Sequence, residues 1–389
     1  MDGYAIRSQV AVTASQETAI MFQVRATIAA GDDPTEALRE VRELGMKDCV
    51  EIMTGAIFPE GFDACVKIED TVLVEGADGK PRYILVTKPI PENANRRFAG
   101  SDILRGDVIV KEGEAIEPSH ILPLASLGFD AVPVVPKHRV GIWSTGKETM
   151  NGKGATRDCN GPYLTAAVRE LRLPTDFFGI LDDEPMELRK ELEIVATSKK
   201  YDVLLSTGAV SKGKFDHIRS VLEQVGAKII FHGLGIRPGH PVLFALIPGK
   251  EKPIAFFGLP GNPGAAAACF RFLTIPYLRA LQGQGLERPL MAKLTRQPEA
   301  FKHSHGCNLR ENTDYFRHGF ISTSITGQLI VEPSEEQSPA KLGAFITANC
   351  WIHFRPKHPD AFSPPGSEVV EVYPISPSGG IRLTTSLLN

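Results

Sequence analysis

The sequence predicts a multidomain protein that combines a central three-layer α/β domain with β-rich regions on both sides. The chain of 389 residues is longer than one ordinary domain. Between residues 137 and 281, short apolar strands alternate with helical segments. This alternation is typical of a mostly parallel sheet that helices cover on both faces. The segments before and after it carry short β-branched runs separated by Gly, Asp and Pro, which indicate β structure.

The first ninety residues are predicted to be mostly strand. The expected strands cover residues 21–28, 50–53, 64–68, 71–74 and 82–87. One helix is expected over residues 34–44, because Asp33 can cap it, Pro34 suits its first position and Glu36 stands where a capping box has an acid. Residues 91–135 form a second expected unit, with strand and turn over 100–116 and a helix over 118–127.

Residues 136–283 form the expected α/β domain. Its predicted strands cover residues 138–143, 201–206, 228–231, 242–246 and 254–257, and its helices 163–171, 185–197, 216–224 and 264–281. From residue 284 to residue 389, short strands return between Pro and Gly turns. This last segment is predicted to form a small β-barrel or sandwich.

The bulk composition excludes several classes of protein. A formal net charge of -3 gives no reason to expect nucleic acid or an acidic membrane as a partner. The apolar runs are shorter than the roughly 20 residues that a membrane helix needs. No signal-peptide core opens the sequence, and the six cysteines form no Cys-x-x-Cys pair. A cytoplasmic protein is therefore expected.

Three glycine-rich turns follow predicted strands, at residues 144–148, 206–216 and 258–264. In open α/β sheets ligands bind at the carboxyl ends of strands, and Gly lets the backbone approach an anion there. One such turn is weak support, because a tight strand-to-helix turn needs Gly anyway. Three on one sheet edge favour a phosphate or nucleotide site. Pro260 and Pro263 stiffen the last turn, as a rigid helix start or as a cradle for an oxyanion.

Carboxylates recur beside these turns. They are Glu148, Asp158, Asp182, Asp183 and Asp216. Acids at a phosphate site suit Mg²⁺, which prefers a few carboxylate oxygens together with phosphate oxygens. Taken singly, each acid fits a helix cap or a surface charge better than a metal ligand, and Asp216 stands at the expected start of a helix. His303, His305 and Cys307 resemble a metal cluster, but no fourth ligand follows at zinc-finger spacing, so a polar loop is expected there.

Taken together and in this order, the motifs resemble the MoeA/gephyrin E-domain family of molybdenum insertases. The resembling segments are MDGYA at residues 1–5, IMTGAIFPEGFDA at 52–64, RRFAGSD at 96–102, STGKE at 144–148, DCN at 158–160, VSKGKFD at 210–216, PGHP at 238–241, GLPGNP at 258–263, TDYFRHG at 313–319 and ANCWI at 348–352. They are spread over nearly the whole chain.

The resemblance implies four domains: a β-rich domain at 1–90, an incomplete linking domain at 91–135, a MogA-like molybdopterin-binding domain at 136–283 and a β-barrel-like domain at 284–389. It implies a homodimer whose site is shared between the α/β domain of one subunit and the β-rich domain of the other. The implied reaction uses Mg²⁺ and transfers molybdate to adenylylated molybdopterin with release of AMP. A molybdopterin adenylyltransferase is the implied partner, and neither nucleic acid nor membrane is.

The resemblance also assigns residues. The catalytic residues carried over by motif are Asp2, Thr54, Asp102, Glu148 and Asp216. The expected metal ligands are Glu148, Asp182 and Asp216. The expected substrate-binding residues are Ser144, Gly146, Asn160, Gly208, Ser211, Arg237, Pro260, Gly261, Asn262 and Pro263.

The chain departs from the family pattern in several respects, among them Lys147 in place of an acid and Ala209 in place of a glycine. The family normally has several dozen residues, forming helices and dimer contacts, before the segment with which this sequence opens. In addition, Gly233 and His240 stand where the family usually has lysines, while Arg237 keeps a charge and can bind an oxyanion with its fork. These losses leave two alternatives open. One is a catalytically degenerate MoeA-like binding or scaffold protein. The other, a nucleotide-processing enzyme, is disfavoured by the MDGYA and TGA segments outside the α/β domain.

Overall fold

The computed structural model describes residues 2–41, 43–74, 82–145, 157–181, 184–208, 217–295, 312–355, 369–376, 378 and 380–381. The chain divides into two compact units, Met1–Val108 and Ile109–Asn389. Each unit has its own hydrophobic cores. Among the described residues, no helix combines the length and the apolar character needed to cross a membrane.

The first unit is built on one six-stranded sheet. Its strands are β1 (Gly3–Ile6), β2 (Ile20–Ile28), β3 (Asp48–Ile52), β4 (Ala64–Lys67), β5 (Thr71–Val74) and β6 (Tyr83–Val86), in the order β4-β1-β3-β2-β6-β5. Only β2 and β3 pair in parallel among these neighbours. Separate apolar clusters form around Phe22 and Ile28. All the predicted strands are present, and β1 is an additional strand.

Helix α1 (Pro34–Ala37) is much shorter than the predicted helix over residues 34–44. Its start is as expected, since the Asp33 carboxylate accepts the Thr35 N–H at 2.8 Å. Beyond Ala37 the hydrogen bonds tighten to a three-residue spacing, from Arg39 N–H to the Glu36 carbonyl and from Val41 N–H to the Leu38 carbonyl. The segment therefore continues as successive turns.

The strand predicted within residues 100–116 is wrong, because this segment folds into turns. The Leu104 N–H donates to the Asp107 carboxylate at 2.8 Å, and the Lys111 N–H donates to Glu114 at 3.0 Å. Acidic side chains that bond nearby amides compete with strand pairing. The helix expected next is confirmed as α2 (Pro118–Ser126).

The second unit contains the predicted α/β sheet. Its strands are β7 (Val140–Thr145), β8 (Thr175–Leu181), β9 (Val203–Thr207), β10 (Lys228–His232), β12 (Leu243–Ile247) and β13 (Ile254–Leu259), in the order β10-β12-β13-β9-β7-β8. Strands β13, β9, β7 and β8 are mutually parallel, and β12 runs antiparallel to both of its neighbours. The sheet is thus mostly parallel, as predicted. Strand β8, at its edge, was not anticipated.

Helices cover both faces of this sheet. They are α3 (Asn160–Glu170), α4 (Pro185–Thr197), α5 (Ile218–Gln224), α6 (Pro263–Cys269) and α7 (Ile275–Leu281). Leu164 of α3 and Ala267 of α6 pack in one cluster, while Leu192 of α4 and Val221 of α5 pack in another. This arrangement confirms the three-layer α/β architecture.

Helices α6 and α7 form one long helix with a π-helical turn (Phe270–Thr274) between them. The turn carries Arg271, which is only 2% exposed. The Arg271 guanidinium donates to the Pro374 carbonyl at 2.9 Å and to the Glu287 carboxylate at 2.7 Å. A buried cation therefore fastens the long helix to the end of the last strand.

The carboxyl-terminal segment forms a closed barrel, one of the two predicted alternatives. Its strands are β14 (Leu290–Leu294), β15 (Asp314–Thr323), β16 (Leu329–Pro333), β17 (Cys350–Phe354) and β18 (Val369–Pro374), and α8 (Ala344–Thr347) precedes β17. Closure follows because β15 pairs with both β16 and β17. A further two-residue strand, β11 (Ile236–Arg237), pairs in parallel with the start of β15.

Candidate functional site

Three strand ends meet at one edge of the α/β sheet, where the glycine-rich turns begin. Ser144 on β7 is level with Thr207 on β9, and Thr207 is level with Leu259 on β13. Three further hydrogen bonds join the turns: Gly208 N–H to the Leu259 carbonyl at 3.0 Å, Thr145 Oγ1 to the Thr207 carbonyl at 2.7 Å and Asn160 Nδ2 to the Gly261 carbonyl at 2.8 Å. The structure thus brings together Ser144, Asn160, Gly208 and Gly261, as the sequence predicted for a single site.

Gly208 occupies a position that other residues cannot fill without strain. Its φ is +87°, in the left-handed region, and a Cβ there would lie 2.6 Å from Thr145 Oγ1 and 3.0 Å from the Thr145 carbonyl oxygen. The backbones of the β7 and β9 turns are therefore in direct contact. Gly is required for this close approach, independently of any ligand.

The turn from Pro260 to Pro263 leads directly into α6. The Asn262 carbonyl accepts the N–H groups of Ala265 and Ala266 at 3.0 and 2.9 Å, and the Gly264 N–H donates to the Pro339 carbonyl at 2.8 Å. Between the two alternatives left open for this turn, the Gly264 amide supports a rigid helix start, since another carbonyl already satisfies it.

Asp158 acts as a helix cap. Its Oδ1 accepts the N–H groups of Asn160 and Gly161 at 3.0 and 3.2 Å, at the start of α3. Both donors are free amides of the first helical turn, which a carboxylate satisfies. Of the two alternatives for this acid, capping therefore has direct support.

Buried hydroxyl groups stand just before the first two turns. Ser144 and Ser206 are 2% and 0% exposed, and neither Oγ has a hydrogen-bond partner among the described residues. The same holds for Nε1 of Trp143, which is level with Ser206. Ser206 was not among the predicted site residues, although the repeated Ser-Thr-Gly at residues 144–146 and 206–208 was a signal for it. The two hydroxyls thus lie next to the turns, with no hydrogen-bond partner in the part of the chain that the structure describes.

The first unit places two of the predicted catalytic residues together. Asp2 Oδ1 accepts both the N–H and the hydroxyl of Thr54, at 2.7 and 2.9 Å. These bonds, the backbone one first, lower the pKa of the Asp2 carboxyl below its ordinary value. Asp102 lies apart from this pair in the hydrogen-bond pattern, with its carboxylate 4.0 Å from Arg97 Nη1.

Arg237 lies on β11 and is exposed. The neighbouring His240 is held by its own loop, because its Nδ1 lies 2.6 Å from the Leu234 carbonyl oxygen. Gly233 adopts a φ of +92° in the same loop. Of the three positions that differ from the family's lysine pattern, Arg237 alone offers a permanent cation.

Several predicted residues lie outside the described part of the chain. They are Gly146, Glu148, Asp182, Asp183, Ser211, Asp216, His303, His305 and Cys307. Helix α5 begins at Ile218 with His217 as its N-cap residue, and the interpretation of Asp216 as a cap falls on a residue outside the described ranges. Within the described ranges, no three His, Cys, Asp or Glu side chains are grouped so as to hold a metal ion.

Comparisons with known proteins agree with this architecture. Residues 1–128 match the family described as "MoeA N-terminal region (domain I and II)", and residues 141–280 match "Probable molybdopterin binding domain". A molybdopterin molybdenumtransferase from Haemophilus influenzae is 32% identical over 359 residues, covering 90% of this chain and 81% of that protein. The Staphylococcus aureus (strain MSSA476) protein of the same name is 31% identical, covering 90% and 79%.

The fold is also shared with a solved structure. The crystal structure of a molybdopterin biosynthesis MoeA protein from Pyrococcus horikosii has a TM-score of 0.71 and 26% identity, and the match covers 96% of this chain and 86% of that one. The two family models reach into both units and cover the motifs from MDGYA at residues 1–5 to GLPGNP at residues 258–263. The chain therefore belongs to the MoeA family of molybdopterin molybdenumtransferases.

Proposed function

We propose that this protein is a molybdopterin molybdenumtransferase, which transfers molybdate to adenylylated molybdopterin and releases AMP. The observation that carries the proposal is the sequence relation to proteins of that name over 90% of the chain. The joined turns after β7, β9 and β13 support it, because a strand-end site with Gly208 and Gly261 at close quarters suits a phosphate-bearing ligand.

Substrate binding is assigned to the edge of the α/β sheet. The backbones at Gly208 and Gly261 lie close together, since a Cβ on Gly261 would lie 3.6 Å from the Gly208 Cα. The buried hydroxyls of Ser144 and Ser206 are proposed to supply polar groups to a phosphate at this edge. Asn160 holds the Gly261 carbonyl and so fixes the third turn. The remaining predicted substrate-binding residues are Gly146, Ser211, Arg237, Pro260, Asn262 and Pro263. Arg237 is the residue proposed to bind molybdate, since its guanidinium matches an oxyanion.

Mg²⁺ is proposed as the cofactor, held by Glu148, Asp182 and Asp216. Three carboxylates are a suitable donor set for Mg²⁺. In sequence, Glu148 follows β7 closely, Asp182 follows β8 directly and Asp216 follows β9, and these three strands are neighbours in the order β9-β7-β8. When bound, the metal would neutralise the charge of the phosphoanhydride and polarise it.

Catalysis is proposed to need the first unit as well. Thr54 holds the Asp2 carboxylate through two hydrogen bonds and favours its ionised form. Such a carboxylate can orient an attacking oxyanion through a bridging proton or metal. Together with Asp102, the pair is proposed to complete the site of a partner subunit in a homodimer. A cytoplasmic location and a molybdopterin adenylyltransferase as supplier of the substrate belong to the same proposal.

The test is cofactor assembly in vitro. Purified protein is mixed with adenylylated molybdopterin, Mg²⁺ and molybdate, and AMP release is followed together with activation of an apo-molybdoenzyme. Asp216→Asn is expected to abolish both signals. Asp130→Asn, at an exposed position of the same unit, is the matched control and is expected to retain them.

The outcomes separate the enzyme from a binding protein. Molybdate-dependent AMP release by the wild type and by the control, but not by Asp216→Asn, supports the proposal. Tight binding of adenylylated molybdopterin without turnover in the wild type contradicts it and identifies a binding protein. Equal turnover in all three proteins contradicts the role of Asp216 while keeping the activity.

A further inference from the structure

A short segment after β16 reaches from the barrel to the candidate site. This segment, residues 334–341, is called the strap here. Its Pro339 carbonyl accepts the Gly264 N–H at 2.8 Å, immediately after the Pro260–Pro263 turn. The contact is close, because a Cβ on Gly264 would lie 2.9 Å from the Pro339 oxygen and 3.0 Å from its Cα. The strap therefore completes the capping of α6.

One side chain fixes the strap to the barrel. Gln337 Oε1 accepts the His318 N–H at 3.1 Å, and Gln337 Nε2 donates to the His318 carbonyl at 2.9 Å and to the Ser334 carbonyl at 2.7 Å. All three bonds are made to backbone groups. The side-chain amide of Gln337 thus bonds both backbone groups of His318 on β15, as a neighbouring strand would. The half-buried position of Gln337 shields these bonds from water.

The strap is also shaped from within. Glu336 Oε1 accepts the Ser338 N–H at 2.8 Å, and its Oε2 pairs with Lys341 Nζ at 2.5 Å. The Lys341 N–H in turn donates to the Ser338 carbonyl at 3.1 Å. Pro339 sits inside this closed turn with its φ fixed by its own ring. The direction of its carbonyl thus depends on Gln337 and Glu336.

We infer that Gln337 is a positioning residue of the candidate site: through the strap and the Pro339 carbonyl it holds the start of α6, and with it the Pro260–Pro263 turn. That turn is joined to the start of α3, because the Gly261 carbonyl accepts from Asn160. The residue before the turn, Leu259, accepts from Gly208 of the turn after β9. If the strap becomes disordered, the Pro260–Pro263 turn is therefore expected to move at the sheet edge where substrate binding is proposed. The effect on substrate binding depends on the proposed function, whereas the effect on the Gly264 amide does not.

The test compares two amides that make the same kind of contact. Gln337→Met keeps the length of the side chain and removes its hydrogen bonds. Asn349→Leu is the matched control, since Asn349 clamps Ile321 on the same strand through bonds of 2.8 and 3.0 Å and lies outside the strap. For both variants, hydrogen exchange at the Gly264 amide and the KM and kcat for AMP release are measured.

Gln337→Met is expected to speed exchange at Gly264 about tenfold and to raise KM about tenfold, with kcat changed about twofold or less. Asn349→Leu is expected to change neither exchange at Gly264 nor KM, at a similar loss of thermal stability. Equal exchange at Gly264 in the wild type and Gln337→Met overturns the inference, as does an equal rise in the control. Hydrogen exchange at Gly264 can be measured without turnover. A wild type without activity would therefore contradict the proposed function, while the exchange experiment would still test the role of Gln337.

If the Gln337→Met protein does not fold, a second variant tests the same contact. Gly264→Ala attacks the same contact from the helix side, because the added methyl group must displace the Pro339 carbonyl. It is expected to raise KM and to speed exchange at the neighbouring Ala265 amide. A folded Gly264→Ala protein with wild-type KM and wild-type exchange contradicts the inference.

Discussion

Replacing Arg271 is expected to loosen the barrel from the long helix. This side chain is 3% exposed, its partner Glu287 is 22% exposed, and the 2.7 Å contact between them is supported by a bond to the Pro374 carbonyl. Arg271→Met keeps much of the apolar stem but loses the guanidinium, which also lies over the rings of Phe272 and Tyr373, 5.8 and 5.5 Å from their centroids. The variant therefore removes the charge and both hydrogen bonds while limiting the change in volume.

The expected loss of stability follows from the two groups that Arg271→Met leaves without a partner, the Glu287 carboxylate and the Pro374 carbonyl. Removing one partner of a buried ion pair costs about 3–5 kcal/mol, because the other charge stays in the protein without compensation. Glu287 retains some contact with water, so the lower end of that range applies. A buried carbonyl that loses its donor adds about 1 kcal/mol. A decrease of about 4 kcal/mol in the free energy of unfolding is expected.

The assay uses the two tryptophans of the chain, Trp143 in the sheet and Trp351 in the barrel, both of which are fully buried. In a Trp143→Phe background, urea unfolding followed by fluorescence reports on the barrel. Arg271→Met is expected to lower the midpoint. Arg279→Met, at a half-buried position on the same helix with one bond of 3.2 Å to the Gly285 carbonyl, is expected to cost less than about 0.5 kcal/mol.

A double variant checks the mechanism. Adding Glu287→Leu to Arg271→Met removes the unpaired carboxylate, and the double variant is expected to be about 1.5 kcal/mol or more stable than Arg271→Met alone. A cost below about 1 kcal/mol for Arg271→Met, or a double variant less stable than the single one, would refute this reasoning.

Three other perturbations have defined outcomes. Gly208→Ala is expected to cost about 2–3 kcal/mol of stability and to reduce AMP release, because Gly208 has a positive φ and the added methyl group would collide with Thr145. The control in urea unfolding is Gly327→Ala, since Gly327 has a φ of +81° but open space around it. Equal costs for the two variants would contradict this reasoning. Burial, with a smaller contribution from the neighbouring arginine, lowers the pKa of His318 to about 4. As pH falls below about 6.5, the His318 imidazole is protonated in the unfolded chain before it is protonated in the folded one. About 3 kcal/mol of the stability present above pH 6.5 is therefore expected to be lost by pH 4. A His318→Phe variant whose stability has the same pH profile as the wild type would contradict this. Asp158→Ala is expected to cost about 1 kcal/mol through the lost cap, against no cost for Asp130→Ala in the same unfolding assay.

Helices and strands were predictable from the sequence where their start signals and apolar spacing lie within the element itself. Helix α4 has the bounds that its Pro start and apolar spacing predicted, and β5 matches its β-branched run. Strand β8 was missed, because this edge strand is partly exposed on both faces and shows no clear alternation. The segment at 100–116 was mistaken for strand, because its apolar residues were visible and the local bonding of Asp107 and Glu114 was not.

The candidate site was predictable as far as the turns themselves. The three Gly-rich segments identified the sheet edge, since strands of one parallel sheet end on the same side. The contact between Gly264 and Pro339 joins positions that are distant in the chain, and no periodicity or turn signal encodes such a pair. Ser206 was overlooked because a buried hydroxyl in an apolar strand looks like ordinary core until its missing hydrogen-bond partner is seen.

The small strand β11 has a consequence for how the chain can be divided and synthesised. Ile236 and Arg237 stand between two strands of the α/β sheet in sequence, yet they pair with Asp314 and Tyr315 of the barrel. A fragment ending near residue 283 would lack that partner strand, so a recombinant α/β fragment would expose β11 to other chains. On the ribosome, β11 emerges about 4–16 s before Asp314 at ordinary elongation rates. The segment that carries Arg237 therefore gains its partner strand only when synthesis has passed into the barrel.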